Sequence, residues 1–300
     1  GAGTAGETDV LVFHGSTDAP AVDVAEPNAQ LNLINDIAYG EFTGNYINLV
    51  TADYSLQVQN MYGSEAVAQF AAPLHTLGLE DSAMVVVASG FLDPTSNSDG
   101  PAFGLYAALP SGGELVKLPG QDVSTAMAQV IHNSADLAAD TVDVWLNDEP
   151  LIDNFAFRNA SPFVELTAGT NFDITIQPKN SSDTTNGLFR KTFTLGVDKH
   201  YLLVANGIVS GSGYNPIKPF DIYAYDMAQM EASESGNIDV LGFHGSTDAP
   251  TVDITETDMP TKLEDNLGYG DFSDGYISLD IDDYSLQVQD STSRVPVAQF

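Results

Sequence analysis

Three histidines stand two residues ahead of a serine and four ahead of an aspartate: His14-Ser16-Asp18, His132-Ser134-Asp136 and His244-Ser246-Asp248. A base, a hydroxyl nucleophile and a carboxylate are the parts of an acyl-transfer triad, but triad members converge from distant parts of a fold so that the base lies between nucleophile and orienter. Side chains two residues apart in one turn bond their own backbone instead, as Asx and Ser turns do. Three tandem catalytic units would also be unusual. H-x-S-x-D is therefore expected to be a structural turn whose His and Asp bond within their own unit. No catalytic residue is assigned, and the chain is expected not to be an enzyme.

Two acidic stretches are the next candidates, Asp280, Asp282 and Asp283 in LDIDDYS and Asp93, Asn97 and Asp99 in DPTSNSDG. Calcium wants six to eight oxygens, which loops of D-x-[DN]-x-[DN]-G spacing supply. Neither stretch has that spacing, so no cofactor is expected, with calcium kept as the one candidate ion. Cysteine is absent, which removes thiol nucleophiles, thiolate metal sites and disulfides. His75 and His200 have no evident partners, and the lone Trp145 in the alternating run VDVWL reads as sheet packing. Tyr39, Tyr46, Tyr62 and Tyr106 are the aromatics that a glycan- or peptide-binding surface would use.

The elements that position these groups repeat. Asp9–Phe70 maps onto Asp239–Phe300 without a gap, and 32 of the 62 positions are identical, so the first and third units are copies. QVIHNSADLAADTVDV, from Gln129 to Val144, is a looser middle copy. This divides the chain into a flexible lead-in (1–8), unit A (9–120), unit B (121–235, bounded near Pro119-Gly120) and the first part of a second unit A (238–300), with MEASESGN (230–237) as a polar linker. Strands are expected at 9–14, 21–25, 32–39, 46–50, 54–60, 66–70, 83–90 and 103–109 in unit one. Unit two should carry them at 141–146, 162–167, 172–178, 188–195, 201–208 and 220–226. YSLQVQ alternates as a strand with one wet face. AMVVVA, apolar throughout, reads as a central strand buried on both sides. No segment keeps a helical period over ten residues. The fold class expected is all-β: tandem immunoglobulin-like β-sandwiches, two complete and one partial.

The formal net charge is −33, with nine Lys plus Arg against 42 Asp plus Glu. Nucleic acids and anionic membranes need a basic footprint, so both are excluded as partners. No apolar run is long enough for a membrane helix, so no membrane insertion of this segment is expected. Six of the nine basic residues lie in unit two: Arg158, Lys179, Arg190, Lys191, Lys199 and Lys218. They are read as solvated charges, with contacts to the acidic flanking units as the alternative.

HGSTDAPAVDV, His14 to Val24, resembles the domain of unknown function 4397 family, whose bacterial surface domains open with V-x-H-A-S-P-D-A-P-x-V-D-V. Tyr39-Gly40 and the run Ala52 to Val58 extend the likeness, while Leu137-Ala138-Ala139 replaces the A-P of the turn in unit two. The resemblance implies tandem β-sandwiches on exported or lipid-anchored bacterial proteins and no established activity. The expected function is a non-enzymatic extracellular or cell-surface repeat protein, a structural or adhesive building block that could assemble into a fibre. Its partners would be other copies of itself or other surface proteins. The alternative is a glycan-, peptide- or calcium-binding module at the loop ends. Unit one ends near Leu118, so its copy is about 48 residues short at Phe300. An ordered half-unit is then expected to show an open edge or a foreign strand, supplied by a longer array or another chain.

Overall fold

Short β-branched and aromatic runs, cut every few residues by Gly, Pro, Asn and Asp, fold as strands joined by tight turns. A computed structural model describes residues 1–63, 65–257 and 262–300, and apart from two 3₁₀ turns its regular elements are all strands. Unit one comprises β1 (Glu7–His14), β2 (Val22–Glu26), β3 (Leu31–Ile37), β4 (Ile47–Val50), β5 (Asp53–Asn60), β6 (Ala66–Pro73), β7 (Ala83–Ser89), β8 (Gly104–Ala108), β9 (Val116–Lys117) and β10 (Gly120–Gln121). They form two sheets, β4-β1-β7-β8-β9 and β10-β6-β5-β2-β3. β1 and β7 run parallel, Val10 beside Met84 and His14 beside Ala88. Val10, Met84, Val86 and Leu105 from one sheet and Val22, Val24, Leu56, Val58 and Phe70 from the other close a common core.

Unit two comprises β11 (Thr125–His132), β12 (Thr141–Leu146), β13 (Glu149–Ala156), β14 (Val164–Thr167), β15 (Asn171–Pro178), β16 (Phe189–Thr194), β17 (His200–Asn206) and β18 (Asp221–Tyr225). Its sheets are β14-β11-β17-β18 and β13-β12-β15-β16, with β11 and β17 again parallel. The second core is made of unit-two residues alone, among them Val130, Val144, Ile174, Ile176, Leu203 and Ile222. β13 was not anticipated, because Pro150 and the polar pair Asp153-Asn154 interrupt its apolar pattern.

Unit three comprises β19 (Asn237–Val240), β20 (Val252–Glu256), β21 (Lys262–Leu267), β22 (Ile277–Asp280), β23 (Leu286–Asp290) and β24 (Pro296–Gln299), in the sheets β19-β22 and β21-β20-β23-β24. Strands equivalent to β7 and β8 have no counterpart among the described residues. The consequence is an open core. Ile238 and Val240 are 40% and 41% exposed, where their counterparts Thr8 and Val10 are buried. A cleft of about 470 Å³ lies over Val252, Ile254, Leu267, Val288 and Phe300, whereas the equivalent space in unit one, capped by Val86, Ala88, Phe103 and Leu105, is about 70 Å³.

Two readings of single strands are corrected. β7 alternates buried and half-buried residues, because its sheet is an outer layer with only one face on the core, and its run of valines reflects strand propensity. The glutamine face of YSLQVQ is dry, because it packs against unit two. There Gln57 Nε2 donates to Gln69 Oε1 (3.2 Å) and to the Ser124 carbonyl (3.1 Å), and Gln59 Nε2 donates to Gln57 Oε1 (2.7 Å) and Thr170 Oγ1 (3.0 Å). The Ser124 N–H returns a bond to Gln69 Oε1 at 2.9 Å. β10 pairs with β6, so the segment after Pro119 is still part of the sheet of unit one.

A different surface joins units two and three. Tyr223 and Tyr225, alternate residues of the edge strand β18, meet Phe243, Tyr269, Phe272 and Tyr276 with ring centroids 5.2–6.3 Å apart. Asn206 Nδ2 donates to the Tyr269 hydroxyl at 3.1 Å. Among the basic residues of unit two, Lys218 also reaches this junction, its Nζ 5.1 Å from the Tyr269 ring centroid. Lys179, Arg190, Lys191 and Lys199 pair with aspartates of their own unit.

Candidate functional site

The H-x-S-x-D turn leaves the end of β1, β11 or the segment after β19 and leads into a V-D-[VI] strand. In each copy the histidine Nε2 donates across the turn to a carbonyl, of Pro20 (2.9 Å), Ala139 (2.7 Å) or Pro250 (2.8 Å). A carbonyl only accepts, so the proton sits on Nε2. In unit two Nδ1 is then free to accept the Ser134 N–H at 3.4 Å. The imidazole is thereby committed to its own backbone. Burial pushes the His132 pKa below its ordinary value, against smaller opposing effects from the Ala139 carbonyl and Asp140.

The serine faces away from that ring. Ser16 Oγ donates to the Gly90 carbonyl at 2.7 Å and Ser134 Oγ to the Gly207 carbonyl at 2.6 Å. Each glycine follows the strand parallel to the one carrying the histidine, with φ of +93° and +102°, and an added Cβ would overlap the backbone of the returning chain. Glycine is required for that sharp exit.

The aspartate takes the next residues of the same hairpin. Asp18 accepts the N–H groups of Leu92 (3.0 Å) and Asp93 (2.9 Å) and the amide of Asn97 (3.2 Å). Asp136 accepts Ser210 N–H (2.7 Å), Ser210 Oγ (2.9 Å) and the Tyr214 hydroxyl (2.9 Å). The backbone N–H of Asp93 leads the effects that lower the Asp18 pKa. For Asp136 burial pushes upward, but the donors, with Ala138 N–H and Ser210 N–H foremost, hold it below the usual carboxylate range. In units one and two the His therefore closes its own turn, while Ser and Asp together fasten the β7–β8 or β17–β18 hairpin to that turn. No histidine–serine hydroxyl bond, the first requirement of a nucleophilic pair, occurs among the described residues. In unit three Ser246 Oγ reaches Asp248 at 3.2 Å, with no glycine carbonyl among the described residues to receive it.

The acidic loop is also occupied from within. Asp93 accepts Thr95 N–H, Thr95 Oγ1 and Ser96 N–H, and the hydroxyl of Ser96 leads the bonds that bring its pKa to about 2. In LDIDDYS, Asp282 accepts the N–H of Asp283. Among the described residues no group of three or more His, Asp and Glu is placed to hold a metal ion. Trp145 is buried, its Nε1 donating to Ser181 Oγ at 2.8 Å. Of the four tyrosines singled out, Tyr39 and Tyr46 share an exposed face with Phe42, the carbonyl of Tyr62 bonds Asn147 at the junction with unit two, and Tyr106 is half-buried on β8.

Sequence reasoning missed the second aspartate of the repeat. Asp23, Asp143 and Asp253 each accept the backbone N–H of one residue on the neighbouring strand, Asp36 (2.7 Å), Asn154 (2.8 Å) and Asn266 (3.0 Å). All three acceptor strands shift register there, and all three donor residues have positive φ, between 52° and 58°. The signal was present, since V-D-[VI] recurs in every copy and the bulge position is always Asp or Asn, the non-glycine residues most tolerant of left-handed backbone.

Residues 126–255 match the family model described as "Domain of unknown function (DUF4397)". The match opens in β11, covers the sandwich of unit two and closes in β20, past the turn of unit three. No curated protein matches the chain. The family whose model matches residues 126–255 is the one that the repeated turn resembles.

Proposed function

We propose that the chain is a non-enzymatic repeat protein of the bacterial cell surface or extracellular space, a structural or adhesive building block that binds other surface proteins or further copies of itself. The observation that carries this reading is the junction between units one and two. Gln57, Gln59 and Gln69 are buried there and spend their amides across the boundary, and Ala66 N–H donates to Thr167 Oγ1 at 3.1 Å. Buried polar groups tolerate no slack, because each unpaired one costs about 1–3 kcal/mol. A junction of this kind fixes the angle between units, as an array that transmits force needs and an enzyme with independent domains does not. In units one and two the histidine Nε2, the serine hydroxyl and the aspartate carboxylate of each H-x-S-x-D turn are bonded within their own unit, which supports the same reading.

The test has two parts. Antibody labelling of intact cells of the source organism, together with the extracellular fraction, should find the protein outside the membrane, and confinement to the cytosol would overturn the reading. Small-angle scattering of the purified chain should fit one rigid arrangement of units one and two. Scattering that requires a broad ensemble of angles would remove its structural basis.

A further inference from the structure

The aromatic surface by which unit three sits on unit two exists a second time, uncovered, on unit one. Phe243, His244, Tyr269, Phe272 and Tyr276 correspond, at the constant offset of the repeat, to Phe13, His14, Tyr39, Phe42 and Tyr46. The two sets share one geometry. Phe13 and Phe42 lie 4.6 Å apart and their counterparts Phe243 and Phe272 4.8 Å, while His14–Tyr39 and His244–Tyr269 are 6.4 and 6.3 Å. Phe42 bridges to Phe13 as Phe272 bridges to Phe243. The seat therefore has its docked shape with nothing on it.

Only the covering differs. In unit three the rings are half-buried by Tyr223 and Tyr225 of β18, Tyr269 takes a bond from Asn206, and the Tyr276 hydroxyl accepts the N–H of Gln229 at 3.0 Å. In unit one Tyr39 and Phe42 are each 56% exposed and Tyr46 47%. Three adjoining exposed aromatics on a surface otherwise this acidic mark an interaction site. Unit two does not offer a third copy of the seat, because Ile131 and Ala160 form the bridge that Phe13 and Phe42 form in unit one.

We infer that the Phe13–Tyr39–Phe42–Tyr46 face of unit one is a docking surface for a sandwich of the unit-two kind, engaged through an edge strand carrying tyrosines at alternate positions, with a lysine and an asparagine beside them. The occupant is defined by the contact already made within the chain between β18 and unit three. Unit one joins unit two through glutamines, and unit two joins the next A-type unit through aromatics, so a free aromatic seat is the mark of an A-type unit ready to follow another B-type unit. The inference deepens the proposed building-block role and rests on it for biological meaning, but its test reads association alone.

A second copy of the full chain supplies the probe once its unit-two face is bared. The double variant Phe272→Ser, Tyr276→Ser unseats unit three and exposes Tyr223 and Tyr225. Sedimentation of this variant should show association that grows with concentration, head to tail through unit one. Adding Phe42→Ser and Tyr46→Ser should weaken that association by roughly tenfold or more, since offset aromatic pairs supply most of the contact. A variant that stays monomeric, or association indifferent to Phe42 and Tyr46, would overturn the inference.

A cysteine pair guards against loss of fold, because the chain has no cysteine of its own. Tyr46→Cys in one copy, mixed with Gln229→Cys in an unseated copy, should form an intermolecular disulfide several-fold faster than a Tyr62→Cys control. Equal rates would count against docking. Retention of the wild-type chain on a glycan array, lost with Phe42→Ser and Tyr46→Ser, would replace the protein partner with a carbohydrate and overturn the assignment. Failure of these tests with surface location intact would remove this inference and leave the proposed role standing.

Discussion

Asp143 Oδ1 accepts the backbone N–H of Asn154 at 2.8 Å, and Asn154 holds a left-handed backbone at φ +52°. The carboxylate also takes Ser181 N–H and Oγ, each at 2.7 Å, so one buried side chain fixes the bulge in β13 and the loop after β15. A charge buried with three donors is stabilising only while all of them are made. Asp143→Ala should lower unit-two stability by about 2 kcal/mol or more, because it strands buried donors. Asn154→Gly should be nearly neutral, whereas Asn154→Val should cost about 1–2 kcal/mol, the β-branched chain resisting positive φ. Urea unfolding followed by Trp145 fluorescence reports on unit two alone, as Trp145 is the sole tryptophan.

The serine of the repeated turn offers an internal control. Ser16 and Ser134 are buried and bond a glycine carbonyl, whereas Ser246 reaches only the aspartate of its own turn. Ser16→Ala and Ser134→Ala should each destabilise their unit by about 1–3 kcal/mol, the cost of leaving a buried carbonyl unpaired. Ser246→Ala should change stability by less than about 0.5 kcal/mol. Equal effects at all three positions, measured by thermal unfolding, would show that the glycine carbonyl is not what the hydroxyl holds.

Acid should loosen unit two in two stages. His132 has a lowered pKa in the fold, so the unfolded chain binds that proton more readily. Its contribution is complete above about pH 6.5 and is lost as pH falls below that value. Asp136 is also lowered, here because hydrogen-bond donors outweigh burial, so its contribution is complete above about pH 4 and disappears as pH falls further. His132→Gln can still donate to the Ala139 carbonyl but cannot titrate. Unfolding midpoints between pH 7 and pH 5 should therefore fall less steeply for that variant than for the parent chain, and parallel slopes would remove His132 from the account.

Much of the fold was legible because repetition and alternation are local signals. The offset between Asp9 and Asp239 exposed the copies, and the apolar spacing located most strands, since a strand with one buried face must alternate. What escaped depended on neighbours. Gln57 and Gln59 alternate as a wet face would, and only the approach of Ser124 and Thr170 makes that face dry. Asp143 gave no sign in its own run of the partners Asn154 and Ser181, which come to it from 11 and 38 residues away. The turn itself was read as structural from its spacing, but the segments it holds, Gly90 to Asn97 and Gly207 to Tyr214, lie more than 70 residues downstream, and nothing in H-x-S-x-D names them.

Gly169 lies against Pro27 at the contact between units one and two. Its φ of +81° favours glycine, and a Cβ there would overlap the backbone of Pro27. Gly169→Ala thus meets two penalties, a left-handed backbone and a collision that only separation of the units relieves. The core of unit two is made of other residues, so the sandwich should survive while the junction opens. The variant should keep its strand signature in circular dichroism, gain a broader distribution of maximum dimensions in small-angle scattering, and become cleavable by protease between Pro119 and Thr125. Gln57→Ala, which leaves Ser124 and Gln69 short of a partner, should do the same more weakly.

Unit three should exchange its amide hydrogens fastest of the three. Protection follows the number of buried apolar contacts and interior backbone bonds. β19 has β22 on one side and no parallel strand on the other, whereas β1 and β11 lie between two neighbours. Ile238 and Val240 face solvent where the corresponding positions of unit one are buried, and the cleft over Val252, Ile254 and Val288 of the same unit is several times larger than its counterpart in unit one. Hydrogen exchange read by mass spectrometry should give peptides of 237–244 at least tenfold less protection than peptides of 7–14, although the two segments are copies with nearly the same intrinsic rates. β20 and β23, at the centre of the four-stranded sheet, should fall between. Equal protection of 237–244 and 7–14 in the isolated chain would mean that the open face is covered in solution, and would direct the search to what covers it.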